Sequence, residues 1–155
     1  MTKKLQVAVI MGSESDRETM EHCLGELEKL HIAAELVVSS AHRMPEKTRT
    51  YVMDAEERGA KVFIAGAGMA AALPGFVASV TTKPVIGVPL AGGMPGGLDA
   101  LLAIVQMPPG VPVATVAVGK AGARNAAVLA AEILAIEDGG IRKHLDDMRD
   151  QWRSK

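Results

Sequence analysis

The stretch that decides the fold is Leu5-Gln-Val-Ala-Val-Ile-Met11 followed by Gly12-Ser-Glu-Ser-Asp16. The first part is an apolar run of strand length. Its interruption by Gln6 and its end at Gly12 distinguish it from a signal peptide or a membrane span. Ser15, with Glu18 three residues later, matches a capping box at the start of a helix. The stretch therefore predicts a β-strand that leads directly into a helix.

The same strand-then-helix unit recurs along the 155 residues. Apolar runs predict strands at about residues 5–11, 34–38, 61–65, 84–88 and 111–118, and amphipathic segments follow them. This alternation predicts a single α/β domain over residues 1–155, with a mainly parallel five-stranded sheet between two helical layers. We expect the flavodoxin-like strand order 2-1-3-4-5, which would bring the loops after the first three strands together.

Composition excludes several classes of function. The 17 Lys and Arg residues nearly balance the 18 Asp and Glu residues, and only four residues are Phe, Trp or Tyr. A nucleic-acid-binding protein would show a basic stripe or an aromatic stacking surface, so no nucleic-acid partner is expected. No run is long enough to cross a membrane, and the lone Cys23 fits a reducing compartment. We therefore expect a cytoplasmic protein with no membrane partner.

Two of the converging loops carry side chains suited to an anion. The loop Gly12-Ser-Glu-Ser-Asp16, which contains Ser13 and Asp16, lies between a strand and a helix N-terminus, where free backbone N–H groups favour an anion. Taken alone, the loop favours the alternative that Ser15 and Asp16 only cap the helix. Ser40 and Arg43 flank His42 and supply a hydroxyl and a guanidinium suited to phosphate. His42 is either a proton-transfer group beside that anion or a structural residue. No second His or Cys stands at ligand spacing, so no metal site is predicted.

The segment Gly66-Ala-Gly-Met-Ala-Ala71 matches the glycine pattern of dinucleotide-binding folds. Its context does not match, because it follows the third strand, Pro74 comes soon after, and no acidic residue stands about twenty positions on. We interpret it as a loop with few side chains, in which backbone amides can approach a small group. A nicotinamide- or flavin-dependent enzyme is therefore the least favoured interpretation.

Taken together, the segments resemble the N5-carboxyaminoimidazole ribonucleotide mutase family of purine biosynthesis over about residues 7–136. The blocks that carry the resemblance are Met11-Gly-Ser-Glu-Ser-Asp16, Ser40-Ala-His-Arg43 with Pro45, Ala65-Gly-Ala-Gly68, Leu73-Pro-Gly75, Ile104-Val-Gln-Met-Pro108 with Gly110, and Gly119-Lys-Ala-Gly122 before Asn125-Ala-Ala127. Their number and their order make the resemblance specific.

The resemblance implies a flavodoxin-like subunit that assembles into a homo-octamer, with active sites at subunit contacts and without a metal or organic cofactor. Ser13, Ser40 and Arg43 would hold the ribose phosphate of a ribonucleotide substrate, and Asp16 would hold its ribose hydroxyls. His42 would transfer protons. The backbone of Gly66, Ala67, Gly68 and Met69 would surround the migrating carboxylate. Carbon dioxide would be the intermediate of this migration.

Three places in the sequence bear on which of two activities the resemblance implies. Many mutases have His directly before Leu-Pro-Gly, where this chain has Ala72, and the related enzymes that carboxylate aminoimidazole ribonucleotide with carbon dioxide also lack that His. Those carboxylases, however, usually have Lys in place of Arg43 and a Ser-rich segment in place of Ala67-Gly68. The mutase is favoured and direct carboxylation is the leading alternative. A non-catalytic nucleotide- or phosphate-sensing domain, which would not need His42, is the alternative from another class.

Overall fold

The computed structural model describes residues 4–154. Five strands form its sheet: β1 (Val7–Met11), β2 (Ala34–Val38), β3 (Val62–Gly68), β4 (Val85–Leu90) and β5 (Ala114–Thr115). Six helices alternate with or follow them: α1 (Arg17–Lys29), α2 (Pro45–Glu57), α3 (Leu73–Val80), α4 (Leu98–Val105), α5 (Lys120–Leu134) and α6 (Gly139–Arg153). Two 3₁₀ turns, Glu14–Asp16 and Pro95–Gly97, precede α1 and α4.

The sheet is parallel throughout, and its order is β2-β1-β3-β4-β5. In the centre of the sheet Val9 lies opposite Leu36 on one side and Ile64 on the other. The flavodoxin-like order predicted from the sequence is therefore confirmed. Because the chain changes direction across the sheet between β1 and β3, a crevice opens at the carboxyl ends of these strands.

The sheet separates two apolar cores. Val7, Val9 and Met11 of β1 face the layer of α1 and α5, with α6 packed outside it. Ala8 and Ile10 face the layer of α2, α3 and α4. This alternation is what a parallel strand covered on both faces requires, and every residue of β1 is fully buried. The result is the predicted arrangement of helices on both sides of one sheet.

Small side chains allow α5 to lie close to its neighbours. Its buried face consists largely of alanine, and it packs against α1 on the inner side of the layer. Arg124 of α5 donates to the carboxylate of Glu26 of α1 at 2.8 Å. Arg124 is therefore a link between helices, and it does not line the cavity described below.

The structure corrects three local predictions. Strand β3 continues through Gly68, so Gly66 lies in a strand and not in a loop, because β1 and β4 flank it on both sides. Strand β5 is only two residues long, and Pro112, which has no N–H to donate, lies just before it in the segment expected to be a strand. The capping box is wrong as well. The hydroxyl of Ser13 caps the 3₁₀ turn by accepting from the Ser15 N–H, and α1 begins later, at Arg17.

None of the helices described within residues 4–154 is long and apolar enough to cross a membrane.

Candidate functional site

A cavity of about 440 Å³ opens at the carboxyl end of the sheet, where the loops after β1, β2, β3 and β4 converge. The first two loops contribute Gly12, Ser13, Ser15, Asp16, Ser40, Ala41, His42 and Arg43. The end of β3, the loop after it and the start of α3 contribute Ala67, Gly68, Met69, Ala71, Ala72 and Leu73, and the loop after β4 contributes Ala91 and Gly92. The topology therefore brings together segments that lie up to eighty residues apart in the sequence.

Eight of the nine site residues expected from the sequence line this cavity: Ser13, Asp16, Ser40, His42, Arg43, Ala67, Gly68 and Met69. Gly66 does not. A Cβ atom at this position would lie 2.4 Å from the Sδ atom of Met20, so the glycine allows α1 to pack against the sheet. Gly66 thus lies behind the residues that line the cavity, in the core.

The loop after β1 presents polar groups of which some are already paired. The Ser13 hydroxyl lies 2.9 Å from the Ser15 hydroxyl and accepts from the Ser15 N–H at 3.3 Å. Asp16 is half-buried. Burial raises the pKa of its carboxyl above the usual value, and a hydrogen bond from the Ser13 backbone opposes that effect. A carboxylate held in this way gains from hydroxyl donors, such as those of a sugar, because they replace the lost water.

The loop after β2 is a compact turn closed by Ser40. The carbonyl of Ser40 accepts from the Met44 N–H at 2.9 Å, and its hydroxyl accepts from the Arg43 N–H at 3.2 Å. Pro45 then begins α2 at the position where a missing N–H costs nothing. His42 and Arg43 are exposed on this turn. Within residues 4–154 their side chains have no hydrogen bond or ion pair, so both are available to a ligand.

The loop after β3 forms a wall of small residues with unusual backbone geometry. Met69 and Ala71 have φ angles of 55° and 42°, in the left-handed region that residues with a Cβ rarely adopt. The Ala71 N–H donates to the Gly68 carbonyl at 2.9 Å and closes the turn. Strain of this kind is retained where surrounding structure fixes it, commonly at ligand sites. The small side chains leave the cavity open on this side.

The loop after β4 is held by a hydrogen bond to the helix that follows it. Its residues Ala91 and Gly92 line the cavity. The Met94 N–H donates to the Asp99 carboxylate at 3.1 Å, which ties the loop to the first turn of α4. Sequence reasoning did not identify Asp99, because an Asp in the first turn of a helix is ordinary. The small residues directly after an apolar strand were the available signal for Ala91 and Gly92.

No cysteine is among the residues that line the cavity. Within the described part of the chain, no group of three or more His, Cys, Asp or Glu side chains is placed to hold a metal ion. Cys23 is buried in the core, and burial raises the pKa of its thiol to about 12. The chemistry that the cavity residues themselves can perform is anion binding and proton transfer at an imidazole.

Known proteins are similar to this chain over nearly its whole length. A family model described as AIR carboxylase matches residues 6–155. The chain is 54% identical over 147 residues to the N5-carboxyaminoimidazole ribonucleotide mutase of Bacillus subtilis (strain 168), covering 95% of this chain and 91% of that protein. It is also 54% identical over 148 residues to the protein of that name from Saccharolobus solfataricus, covering 93% of this chain and 92% of that protein.

A solved structure also has the same fold. The crystal structure of Treponema denticola PurE superposes with a TM-score of 0.87 at 28% sequence identity and covers 96% of this chain and 92% of that one. These matches extend over sheet, helices and cavity loops alike. The chain belongs to the AIR carboxylase family.

Proposed function

We propose that this chain is an enzyme of purine biosynthesis that converts N5-carboxyaminoimidazole ribonucleotide to 4-carboxyaminoimidazole ribonucleotide. The observation that carries the proposal is the convergence of His42, Ser40, Arg43, Ser13 and Asp16 on one cavity. This convergence occurs in a chain that is about half identical to relatives named for that activity. The substrate is a small ribonucleotide.

The cavity residues have three roles: they bind the phosphate, bind the ribose or transfer protons. Arg43, with the hydroxyls of Ser13 and Ser40, supplies charge-assisted and neutral hydrogen bonds for the ribose phosphate. Asp16 accepts hydrogen bonds from the ribose hydroxyls, which offset the cost of its burial. These contacts orient the base toward His42, which is the proton-transfer group.

The reaction balances with one histidine. His42 in its protonated form gives a proton to the exocyclic nitrogen of the carbamate. The N–C bond then breaks, its electron pair stays on nitrogen, and carbon dioxide is released. The electron-rich ring carbon attacks carbon dioxide and forms the new C–C bond. His42 removes the proton from that carbon, which restores the aromatic ring and the protonated histidine.

Holding carbon dioxide during this sequence is the task of the wall of small residues. The backbone of Ala67, Gly68 and Met69, with Ala71 and Ala72 beside it, leaves room for a three-atom molecule next to the base. Confinement makes recapture effectively unimolecular and keeps water out. Gly66 supports the wall from behind by letting α1 approach.

The isolated subunit leaves this cavity partly open, which favours assembly. Met69, which lines the cavity, is 63% exposed, and Leu98, Leu102 and Val105 form an exposed apolar face along α4. Such a continuous face is typical of a subunit contact. We propose a homo-octamer in which neighbouring subunits cover the sites. Sedimentation should show the octamer, and a stable monomer that is fully active would contradict it.

Direct carboxylation of aminoimidazole ribonucleotide is the second candidate, and Ala72 is the residue that favours it. The methyl group of Ala72 lines the cavity and cannot exchange a proton, so a mechanism that depends on a second histidine there is excluded in this chain. Direct carboxylation with carbon dioxide from solution would need only His42 as the proton-transfer group. Cytoplasmic location is expected for either activity.

A paired assay separates the candidates. One arm supplies the carbamate substrate, and the other supplies aminoimidazole ribonucleotide with saturating bicarbonate. Fast product formation from the carbamate, with the second arm far slower, supports the mutase. Faster product formation in the second arm supports the carboxylase, and no product in either arm supports a non-catalytic nucleotide-sensing role.

A further inference from the structure

A pair of buried hydroxyl groups lies directly beneath the turn that carries His42. Ser39 follows the last residue of β2, and Thr48 lies in the first turn of α2. The Ser39 Oγ and Thr48 Oγ1 atoms are 2.7 Å apart. Ser39 is only 2% exposed and Thr48 is 0% exposed, so water does not compete for this bond. Neither residue lines the cavity.

The direction of the hydrogen bonds follows from counting protons. Thr48 Oγ1 donates its single proton to the Met44 carbonyl at 3.1 Å. Ser39 must therefore donate to Thr48. The Ser39 N–H in turn donates to the Met11 carbonyl of β1 at 2.9 Å. A continuous chain of bonds thus runs from the end of β1, through both hydroxyls, to Met44 at the far end of the turn.

This chain of bonds fixes the two ends of the segment that carries the site residues. Ser40, His42 and Arg43 all lie between Ser39 and Met44. Since the side chains of His42 and Arg43 are unpaired within residues 4–154, the backbone of the turn is what sets their position. Proton transfer needs the donor and acceptor atoms within about 2.6–3.2 Å, whereas a flexible arginine can follow a displaced phosphate.

We propose that Ser39 and Thr48 are positioning residues for His42, acting on turnover by holding the turn and not by touching the substrate. This inference rests on the proposed function, in which His42 moves the protons. Two apolar side chains would fill the same space without the desolvation cost of buried hydroxyls, so packing alone does not account for the pair. A hydrogen bond between the two hydroxyls is directional and fixes the geometry of the turn, which packing between apolar groups does not do.

The test uses Thr48→Val, which removes the hydroxyl at nearly constant shape, and Thr48→Ser, which keeps it. In assays on fully folded enzyme, Thr48→Val should lower kcat by about tenfold or more, within the roughly 10²-fold expected for a 1 Å misplacement. KM should change by less than about threefold, because Arg43 adapts. Thr48→Ser should restore most of kcat. Thr115→Val is the matched control: it removes from β5 a hydroxyl that donates to the Val113 carbonyl, and it should leave kcat unchanged.

The double variant Ser39→Ala/Thr48→Val separates positioning from stability. Removing both hydroxyls leaves no unpaired group, so stability should recover relative to Thr48→Val alone while kcat stays low. A kcat of Thr48→Val or of the double variant within twofold of the parent enzyme would overturn the proposal.

Amide hydrogen exchange gives a readout that does not depend on the reaction. In Thr48→Val the amides of Arg43 and Met44 should exchange faster than in the parent chain, and in Thr48→Ser they should not. If the parent chain shows no mutase activity but the exchange result holds, then the proposed function fails and the positioning of the turn stands. Unchanged exchange in Thr48→Val would remove the positioning role itself.

Discussion

The two ends of helix α2 use similar residues in opposite ways. At its start, the turn presents His42 and Arg43 exposed, and within residues 4–154 their side chains have no partner. At its end, Arg58 donates to Glu35 at 2.9 and 2.5 Å and to Asp54 at 2.6 Å. The Tyr51 hydroxyl donates to the same Glu35 carboxylate at 2.8 Å.

This difference separates a charge that is paired within the fold from charges that are left open to a ligand. The N–H groups of Arg58 donate to Glu35 and Asp54 of the same chain, and these bonds hold the edge strand β2 against α2. The donors of Arg43 remain open at the cavity, where a phosphate can take them. Substitutions at the first end should therefore change activity and spare stability, whereas those at the second end should do the reverse.

The largest expected effect is that of His42→Asn. Loss of the proton-transfer group should lower kcat by about 10²–10⁴-fold. The free energy of unfolding should stay within about 0.5 kcal/mol of the parent value, because the side chain is exposed and unpaired. Calorimetry should still detect binding of the ribonucleotide product. A variant that fails to fold would assign His42 to structure instead.

A matched pair of arginine substitutions comes next. Arg43→Ala should raise KM by about 10–100-fold, the range for losing hydrogen bonds to a charged group, with an unchanged thermal midpoint. Arg58→Ala should leave KM unchanged and lower stability by about 1 kcal/mol, since solvent screens this half-exposed cluster. Steady-state kinetics and thermal unfolding on both variants decide the matter. Equal effects of the two variants on KM would remove the distinction between the ends of α2.

A smaller effect is expected in the pH dependence of stability. The Arg58 guanidinium lowers the pKa of the Glu35 carboxyl below its usual value of 4.5. The carboxylate therefore contributes stability above that pH, and the contribution disappears as the pH falls through the lowered pKa. Glu35→Gln should be less stable than the parent chain at neutral pH, and the difference should shrink in acid. Urea unfolding between about pH 7 and pH 3 measures it, and a constant difference would contradict the account.

The smallest expected effect is at Asp16, where the charged carboxylate lowers stability, in contrast to that of Glu35. Because burial raises the pKa of this carboxyl, its charged form costs stability as the pH rises through the raised pKa. Asp16→Asn should therefore gain a few tenths of a kcal/mol at neutral pH, as polar site residues often do when replaced. The same variant should raise KM. A loss of stability at neutral pH would mean that Asp16 serves mainly as a cap.

The sequence predicts the features of this molecule that depend on pattern and order. Strand β2 lies where its apolar run predicted, and the loops with Ser13, Ser40 and His42 meet because parallel strands end at one edge of the sheet. The predictions that fail are those for residues whose structure depends on neighbouring strands or helices. Gly66 is a strand residue because β1 and β4 lie on either side of it, which a glycine-rich segment does not reveal.

Contacts between helix and loop are also beyond the pattern. A Ser at the end of a strand and a Thr in the next helix are ordinary surface residues by composition, and only the fold buries Ser39 and Thr48 against each other. The role of Ser13 as the actual cap depends on the 3₁₀ turn before α1, and that turn shifts the helix start to Arg17.

The most direct test follows the carboxyl carbon itself. The carbamate substrate, labelled with ¹³C in its carboxyl group, is mixed with the enzyme in the presence of excess unlabelled bicarbonate, and the product is analysed by mass spectrometry. If carbon dioxide is released and recaptured within the cavity beside His42, most of the product should retain the label. Product that carries mainly unlabelled carbon would contradict the account, because the enzyme would then be taking carbon dioxide from solution.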